Sequence, residues 1–411
     1  MSARHKIIIG LALFGFLLHF SFALEWVAKA PMPTSRSFLG VATVSETIYA
    51  IGGKNTTGLL NILEIYNSAS NTWSTGCSMP TLRRDFGIGV ANGKIYVIGG
   101  YDGTNVLSSV LEYNPYNDSW VLKSPMSTPR EWLVVAVVND KIYAIGGDDG
   151  NVYLNVCEEY DPVSDSWTTK TPMPTARGGL TAQAISGKIY AIGGCPSGVT
   201  ACRIVEEYNP VNDSWTSKTD MLTARYGLAS AVIDNKIYAL GGGPPFSLSN
   251  VESYNPTLNS WNSETAMPTA RWGLGSDAIA QKIYAIGGQT LYHSGYTNVN
   301  EEGGVLVGIE ESESLVSSLG IQLKIRPNPF TKSTKISCQV PEGQVVSLKI
   351  YNSSGRLIKW FDNLESQNIR PFIHISWDGS DQYGEKVMPG IYFICFEVGS
   401  YKTTEKLILL R

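Results

Sequence analysis

Histidine is scarce in this sequence: four occur in 411 residues, at His5, His19, His293 and His374. The first two lie in the N-terminal 23 residues and the others lie far apart, so no pair is placed to bind a transition metal or to activate a nucleophile. Basic residues are not in excess either, since the formal net charge is -4, which argues against a nucleic-acid partner. We therefore expect no catalytic residues, no cofactor and no metal, and we leave open calcium in the acidic loops described below.

Long apolar runs are missing after the N-terminus. There, two basic residues precede an apolar run from Ile7 to Phe20, and small residues follow at Ser21 and Ala23. This pattern predicts a secretory signal peptide over residues 1–23, with an uncleaved membrane anchor as the alternative. We expect the protein outside the cytoplasm, as a monomer that meets a membrane only through its export and attachment machinery.

Cysteine is present six times but not in a zinc-binding pattern. Cys195 and Cys202 bracket one loop, CPSGVTAC, and a secreted protein permits disulfides, so we predict a local bridge between them. Cys338 and Cys395 lie in two apolar segments, where either a bridge or two buried thiols would fit.

One segment, KIYAIGG in its commonest form, recurs six times. Its last glycine falls at Gly53, Gly100, Gly147, Gly194, Gly242 and Gly288. Tryptophans keep the same period, close to 47 residues, at Trp26, Trp73, Trp120, Trp167, Trp215 and Trp261. A repeat of this length built from short strands predicts a β-propeller, because each unit buries its faces only against its neighbours.

Each copy has the pattern of four strands. In the third copy they are WLVVAVV, KIYAIGG, NVCEEYD and DSWTTK, and the first two are joined by Asn139 and Asp140, which suit a tight hairpin. We expect the paired glycines to lie where a side chain would clash. Each copy is therefore predicted to form one four-stranded antiparallel blade.

These residues resemble the kelch repeat: a double glycine after an apolar strand, then Tyr, then Trp, with MPTxR leading into the next copy. The resemblance covers residues 24–302 and implies an all-β, six-bladed kelch propeller. No tryptophan follows the sixth glycine pair, whereas Trp26 precedes the first. The N-terminal strand LEWVAK is therefore expected to complete the last blade and close the ring.

A different pattern begins after the repeats. Residues 303–321 are rich in Glu, Ser and Gly and are expected to link the propeller to a small β-sandwich over residues 322–411. RPNPF, WDGSDQYGEKVMPGIYF and the terminal KLILLR resemble the C-terminal sorting domain of bacterial type IX secretion cargo, and also the immunoglobulin-like module of flagellar hook-capping proteins. The resemblance implies export to the outer cell surface; an accessory sandwich without an export role is the alternative.

One arginine stands at a fixed place in every repeat, just before the innermost strand. The six are Arg36, Arg83, Arg130, Arg177, Arg225 and Arg271. They are predicted to circle one mouth of the central channel, where they could bind a ligand. The alternative is a structural role, in which they pair with glutamates near the third-strand tyrosine: Glu64, Glu112, Glu158, Glu206 and Glu252.

The two positions after each arginine vary between repeats, so they are free to serve a ligand and equally free to drift without a function. We predict a binding surface at the mouth formed by Arg84, Asp85, Glu131, Trp132, Tyr226 and Trp272. The loops after the glycine pairs should reach the same face with Tyr101, Asp102, Asp148, Asp149, Phe246, Tyr292 and His293.

Three functions fit these features. The leading hypothesis is a secreted or surface-attached module that binds a protein or a glycan at the mouth. The second is a carbohydrate-active enzyme, because some periplasmic kelch propellers are sialic acid epimerases; Glu131 would act as acid or base, and Arg84 or Arg130 would hold a carboxylate. The third is a scaffold or adhesin without a defined pocket.

Overall fold

The computed structural model describes residues 24–196, 201–243, 246–291, 294–305, 322–339, 345–352, 356–365, 372–398 and 401–410. They form two compact units, which divide between residues 306 and 307. The predicted signal peptide and most of the predicted linker lie outside the described residues. Within the described ranges, no helix is long and apolar enough to cross a membrane.

The first unit consists of six four-stranded antiparallel sheets, one for each copy of the repeat. The N-terminal strand is β1 (Leu24–Ala28). Blade 1 is β2 (Gly40–Val44), β3 (Thr47–Ile51), β6 (Leu63–Asn67) and β7 (Thr72–Gly76), with the short hairpin β4 (Lys54–Asn55) and β5 (Gly58–Leu59) in its loop. Blade 2 is β8 (Gly87–Ala91), β9 (Lys94–Ile98), β10 (Val110–Asn114) and β11 (Ser119–Lys123). Blade 3 is β12 (Val134–Val138), β13 (Lys141–Ile145), β14 (Cys157–Asp161) and β15 (Ser166–Lys170).

The remaining blades follow the same order. Blade 4 is β16 (Thr181–Ile185), β17 (Lys188–Ile192), β18 (Val205–Asn209) and β19 (Ser214–Ser217). Blade 5 is β20 (Ala229–Ile233), β21 (Lys236–Leu240), β22 (Val251–Asn255) and β23 (Ser260–Glu264). Blade 6 is β24 (Gly275–Ile279), β25 (Lys282–Ile286), β28 (Asn300–Val305) and β1, with β26 (Gln289–Leu291) and β27 (Ser294–Tyr296) in its loop.

The ring closes through β1, which pairs with β28 in antiparallel register from Leu24 opposite Val305 to Ala28 opposite Glu301. Trp26 donates from its indole Nε1 to the Thr265 carbonyl at 3.0 Å. Trp73 makes the equivalent contact in blade 1, to the Ala30 carbonyl at 2.8 Å. β28 extends to Val305, three residues beyond the predicted end of the propeller.

The glycine pairs lie in crowded, left-handed backbone. In blade 3, Gly146 and Gly147 have φ of 63° and 104°. A Cβ atom on Gly146 would lie 2.6 Å from the Arg177 carbonyl oxygen, and one on Gly147 would lie 2.8 Å from that of Glu131. The expectation that only glycine fits is confirmed there.

The second unit consists of two sheets that share one core. The first sheet has the order β29 (Gln322–Arg326), β30 (Thr334–Gln339) and β33 (Phe372–Trp377). The second has the order β32 (Leu357–Glu365), β31 (Val345–Asn352), β34 (Gly390–Val398) and β35 (Tyr401–Leu409). Buried Trp377 packs against Phe330 and Tyr392, with ring centroids 5.6 and 5.2 Å away. The RPNPF segment borders the last strand, because Phe330 donates its N–H to the Ile408 carbonyl.

Candidate functional site at the channel mouth

The six repeat arginines do not reach the mouth surface, so the prediction that they contact a ligand is wrong. Their side chains are 0–1% exposed. In blade 3, Arg130 donates to the carbonyls of Gly146 and Val156, at 3.0 and 3.1 Å. The side chain points into its own blade, where these carbonyls and the buried Glu158 carboxylate, 2.6 Å from Arg130 Nη2, accept its hydrogen bonds.

Five of the arginines pair with a buried glutamate, as the structural alternative requires. The pairs are Arg36–Glu64, Arg130–Glu158, Arg177–Glu206, Arg225–Glu252 and Arg271–Glu301. Glu112 was expected in this set but instead accepts hydrogen bonds from Lys94 and Tyr96. The sequence spacing distinguishes Glu112 from the paired glutamates. Glu64 lies two residues before Tyr66, whereas Glu112 lies one residue before Tyr113.

Arg83 is the exception, because no carboxylate lies within ion-pair distance of it among the described residues. It donates to the carbonyls of Gly99 and Ser109 and to the hydroxyls of Thr81 and Ser109. Burial lowers its pKa to about 10, and the charge of Asp102 opposes that change. Blade 2 therefore holds a buried cation that is solvated by oxygen dipoles.

The mouth itself is framed by a closed ring of backbone hydrogen bonds. One residue from each blade donates its N–H to the carbonyl of the equivalent residue in the preceding blade, at 2.7–3.3 Å. This mouth ring consists of Phe38, Asp85, Trp132, Gly179, Gly227 and Gly273. All six residues are in the left-handed region, with φ of 54–62°.

Three members of the mouth ring are glycines because aromatic rings from neighbouring blades lie over them. A Cβ atom on Gly179 would lie 2.8 Å from Trp132, and one on Gly273 would lie 2.7 Å from Phe38. At Gly227 it would lie 3.0 Å from Trp272. The glycines thus provide both the left-handed backbone and the space for the rings.

Four aromatic side chains form a cluster on the mouth ring. Phe38 lies 5.4 Å from Trp132 and 5.0 Å from Trp272, and Tyr226 lies 5.9 Å from Trp132 and 5.7 Å from Trp272. Phe38 and Trp272 are buried, whereas Trp132 and Tyr226 are half-buried. Trp272 therefore packs beneath the other rings, and of the three aromatic residues predicted for the binding surface only Trp132 and Tyr226 are accessible to a ligand.

A charged group adjoins this aromatic cluster on blades 2 and 3. The Arg84 guanidinium contacts the Asp85 carboxylate, lies 3.6 Å from Glu131 Oε2, and stacks 4.8 Å from the centre of the Tyr101 ring. Burial raises the pKa of Glu131; the nearby Arg84 charge lowers it and Asp148 raises it further. The six residues predicted for the binding surface are thus neighbours at the mouth, although Asp85 and Trp272 are buried there.

The acidic loops are held by their own backbone. Asp102 Oδ1 accepts from the N–H groups of Thr104 and Asn105, and Asp149 Oδ1 accepts from those of Asn151 and Val152. These bonds hold the pKa of Asp102 and Asp149 below the usual value. Among the described residues, no group of three His, Cys, Asp or Glu is placed to bind a metal.

Two mouth residues were missed from the sequence. Lys54 lies with its Nζ 5.2 Å from the centre of the Phe38 ring, and Gln289 accepts from the Ser37 hydroxyl at 2.9 Å. Both directly follow a glycine pair, which is the signal that could have identified them. The predictions for Tyr292 and His293 lie outside the described residues.

The predicted disulfide is wrong, because Cys195 and Cys202 are both free thiols. The Cys195 thiol interacts with the Tyr153 hydroxyl, and the Cys202 thiol with the backbone of Ile204. The positions of the two cysteines at the ends of one loop do not show which way each thiol points, and in the structure the two sulfurs contact different residues. Cys338 and Cys395 are also free and buried.

Six four-stranded blades around one axis, closed by the N-terminal strand, define a β-propeller. Residues 22–147 and 121–288 match the KLHDC2/KLHL20/DRC7 Kelch-repeats domain, and the chain therefore belongs to the kelch-repeat family. The solved structure of YjhT is similar with a TM-score of 0.59 and 16% sequence identity, and the match covers 66% of this chain and 95% of that chain. At this identity the likeness concerns the fold alone.

Residues 324–410 match the secretion system C-terminal sorting domain. The chain is accordingly a kelch protein directed to secretion or to the bacterial cell surface. None of the curated proteins matches the chain significantly.

Proposed function

We propose that this protein is a binding module, displayed outside the cell, whose protein or glycan ligand contacts the channel-mouth face. One observation carries the proposal: half-buried Trp132 and Tyr226 rest on buried Phe38 and Trp272, beside the charged residues Arg84 and Glu131. Aromatic rings that are already fixed before binding lose little conformational entropy and are typical of binding hot spots.

The test combines a protein and glycan binding screen of the full-length protein with two variants, Trp132→Ala and Tyr226→Ala. Each variant should weaken binding of the ligand found by about 2 kcal/mol, because a rigid contact surface is removed. Tyr116→Ala is the matched control, since Tyr116 is 92% exposed in a turn at the opposite end of its blade. Unchanged affinity in both folded variants would refute the proposal.

An enzyme acting on a carbohydrate is the second candidate. It is favoured by the raised pKa of Glu131, which suits a proton donor, and by the position of Arg84 next to it. Chemical conversion of a glycan during the screen, rather than binding alone, would distinguish this function.

A further inference from the structure

The mouth face is divided by charge between two sets of blades. The loops that follow the glycine pairs of blades 5 and 6, GPPFSLSN and QTLYHSGYTNV, contain no Asp, Glu, Lys or Arg. Blades 2 and 3 instead carry five carboxylates on this face: Asp85, Asp102, Glu131, Asp148 and Asp149. The face therefore has an uncharged half on blades 5 and 6 and an acidic half on blades 2 and 3, while the corresponding loops of blades 1 and 4 carry Lys54 and Arg203.

The two cations nearest the surface of the acidic half, Arg84 and Lys54, already contact other residues of the protein. Arg84 contacts Asp85 and Glu131 and stacks on Tyr101. Lys54 lies over the Phe38 ring, and burial, together with the charge of Arg84, lowers its pKa. With the buried Arg83, whose charge interacts with that of Asp102, three cations face five carboxylates, so this half has a net negative charge.

The outer acids are also rigid before any ligand arrives. Asp102 and Asp149 use one carboxylate oxygen to cap their own turns. Because their backbone bonds favour the ionised form, both remain charged at neutral pH. A fixed negative charge attracts a cationic group and repels an anionic one.

The uncharged half carries two exposed apolar side chains at the rim, beyond the aromatic cluster. Phe246 is 78% exposed and Leu291 is 62% exposed, in the loops of blades 5 and 6. Neither side chain can form hydrogen bonds with sugar hydroxyls. The partner that suits these rim residues therefore brings apolar side chains of its own.

We infer that the ligand is a polypeptide segment in which Lys or Arg lies next to an aromatic or large aliphatic residue. This inference rests on the proposed function and specifies its ligand. The basic side chain would lie over the acidic loops of blades 2 and 3, while the apolar side chain would cover Trp132, Tyr226 and the rim of blades 5 and 6. Acidic glycans would be repelled from the same surface.

The test is calorimetric titration of the full-length protein with four probes. Three are heptapeptides: one with two Lys and two Trp, one with Glu in place of Lys, and one with Ser in place of Trp. The fourth probe is sialyllactose. The Lys–Trp peptide should bind roughly tenfold more tightly than any of the others, because it alone matches both halves of the face.

The double variant Asp102→Asn/Asp149→Asn removes two charges but keeps an oxygen to cap each turn. It should weaken binding of the Lys–Trp peptide severalfold and reduce its salt dependence at an unchanged melting temperature. Asp118→Asn/Asp213→Asn is the matched control at the other ends of blades 2 and 4. Asn71 and Asn259 already fill the equivalent positions in blades 1 and 5 and accept the same tyrosine hydrogen bond.

Tighter binding of the Glu peptide or of sialyllactose would overturn the inference. If Trp132→Ala abolished binding of the Glu peptide or of sialyllactose, the mouth would still be a ligand-binding surface and the proposed function would stand. Equal affinity of the wild type and the Asp102/Asp149 variant for the Lys–Trp peptide would overturn the inference too, as would failure of every probe to bind at about 1 mM.

Discussion

Arg177 and Arg83 occupy equivalent places in blades 4 and 2, but only one of them has a buried counterion. Arg177 pairs with Glu206, and the two side chains are 0% and 3% exposed. Arg83 uses carbonyl and hydroxyl oxygens alone. Removing one partner of a buried ion pair leaves the other charged and desolvated, which costs more than the pair contributes while intact.

We predict that Arg177→Ala destabilises the propeller by about 2 kcal/mol more than Arg83→Ala. Only the Arg177 substitution leaves a buried carboxylate, Glu206, without its counterion. Thermal unfolding of both variants measures this difference. The double variant Arg177→Ala/Glu206→Gln should recover part of the loss. Equal losses in the two single variants would contradict this account.

The residue scale also shows where sequence-based prediction reaches its limit. The repeat identified the blades, the closing strand and the six variable mouth residues, since periodicity reports backbone position. It left open whether Arg130 binds a ligand or pairs with Glu158 inside its blade. The structure has it buried in the blade, whereas Arg84, which follows the equivalent arginine of blade 2, reaches the mouth. Side-chain direction depends on which buried acceptors surround the guanidinium, and these acceptors are placed only when the strands are assembled.

The innermost strands form the wall of the channel, and one of them carries an acid. Asp277 in β24 is the single ionisable residue among the six innermost strands, which are otherwise built from small and apolar residues and a few neutral polar ones. Its carboxylate accepts from the N–H of Ala278 and faces Thr43 of β2 across the seam where blade 6 meets blade 1. No cation lies within ion-pair distance of it among the described residues.

Burial raises the folded-state pKa of Asp277, so the native protein binds this proton more tightly than the unfolded chain does. The contribution of Asp277 to the free energy of unfolding is therefore largest below pH 3.8, its ordinary pKa. This contribution decreases as the pH rises from 3.8 through the raised pKa, and at higher pH the buried charge destabilises the protein. We predict that Asp277→Asn melts at a higher temperature than the wild type at pH 7, and that the difference shrinks towards pH 4. Melting curves across this range test it, with exposed Asp220→Asn as the control; a pH-independent difference would contradict it.

The whole molecule combines a closed propeller with a sorting domain, and the boundary between them is set by β28. Gly303 and Gly304 pair with Trp26 and Glu25, so these glycines belong to blade 6 and not to the linker. A Cβ atom on Gly303 would lie 2.8 Å from the Trp26 ring, and Gly303 stands opposite Trp26 where blade 1 pairs Tyr66 with Trp73. Gly303 is therefore required by packing against Trp26, although the Gly-rich composition of the segment predicts a linker from residue 303 onward.

We predict that a protein ending at Val305 folds and binds like the full-length protein but does not reach the surface of a host with type IX secretion. A protein ending at Glu302 should in addition melt at a lower temperature, because Trp26 loses the strand beneath it. Surface labelling and melting curves measure the two effects. Normal display of the shorter proteins would mean that the sorting domain is not needed for export.

The position of β28 between β25 and β1 has a mechanical consequence. The strand begins beside the glycine pair of blade 6, near the mouth, and ends at the opposite end of the blade, where the chain leaves. When the C-terminal side is held and a ligand pulls at the mouth, tension runs along this strand. Its hydrogen bonds to both neighbours are perpendicular to the pull and share the load, so the blade resists by shear and does not peel open from one edge.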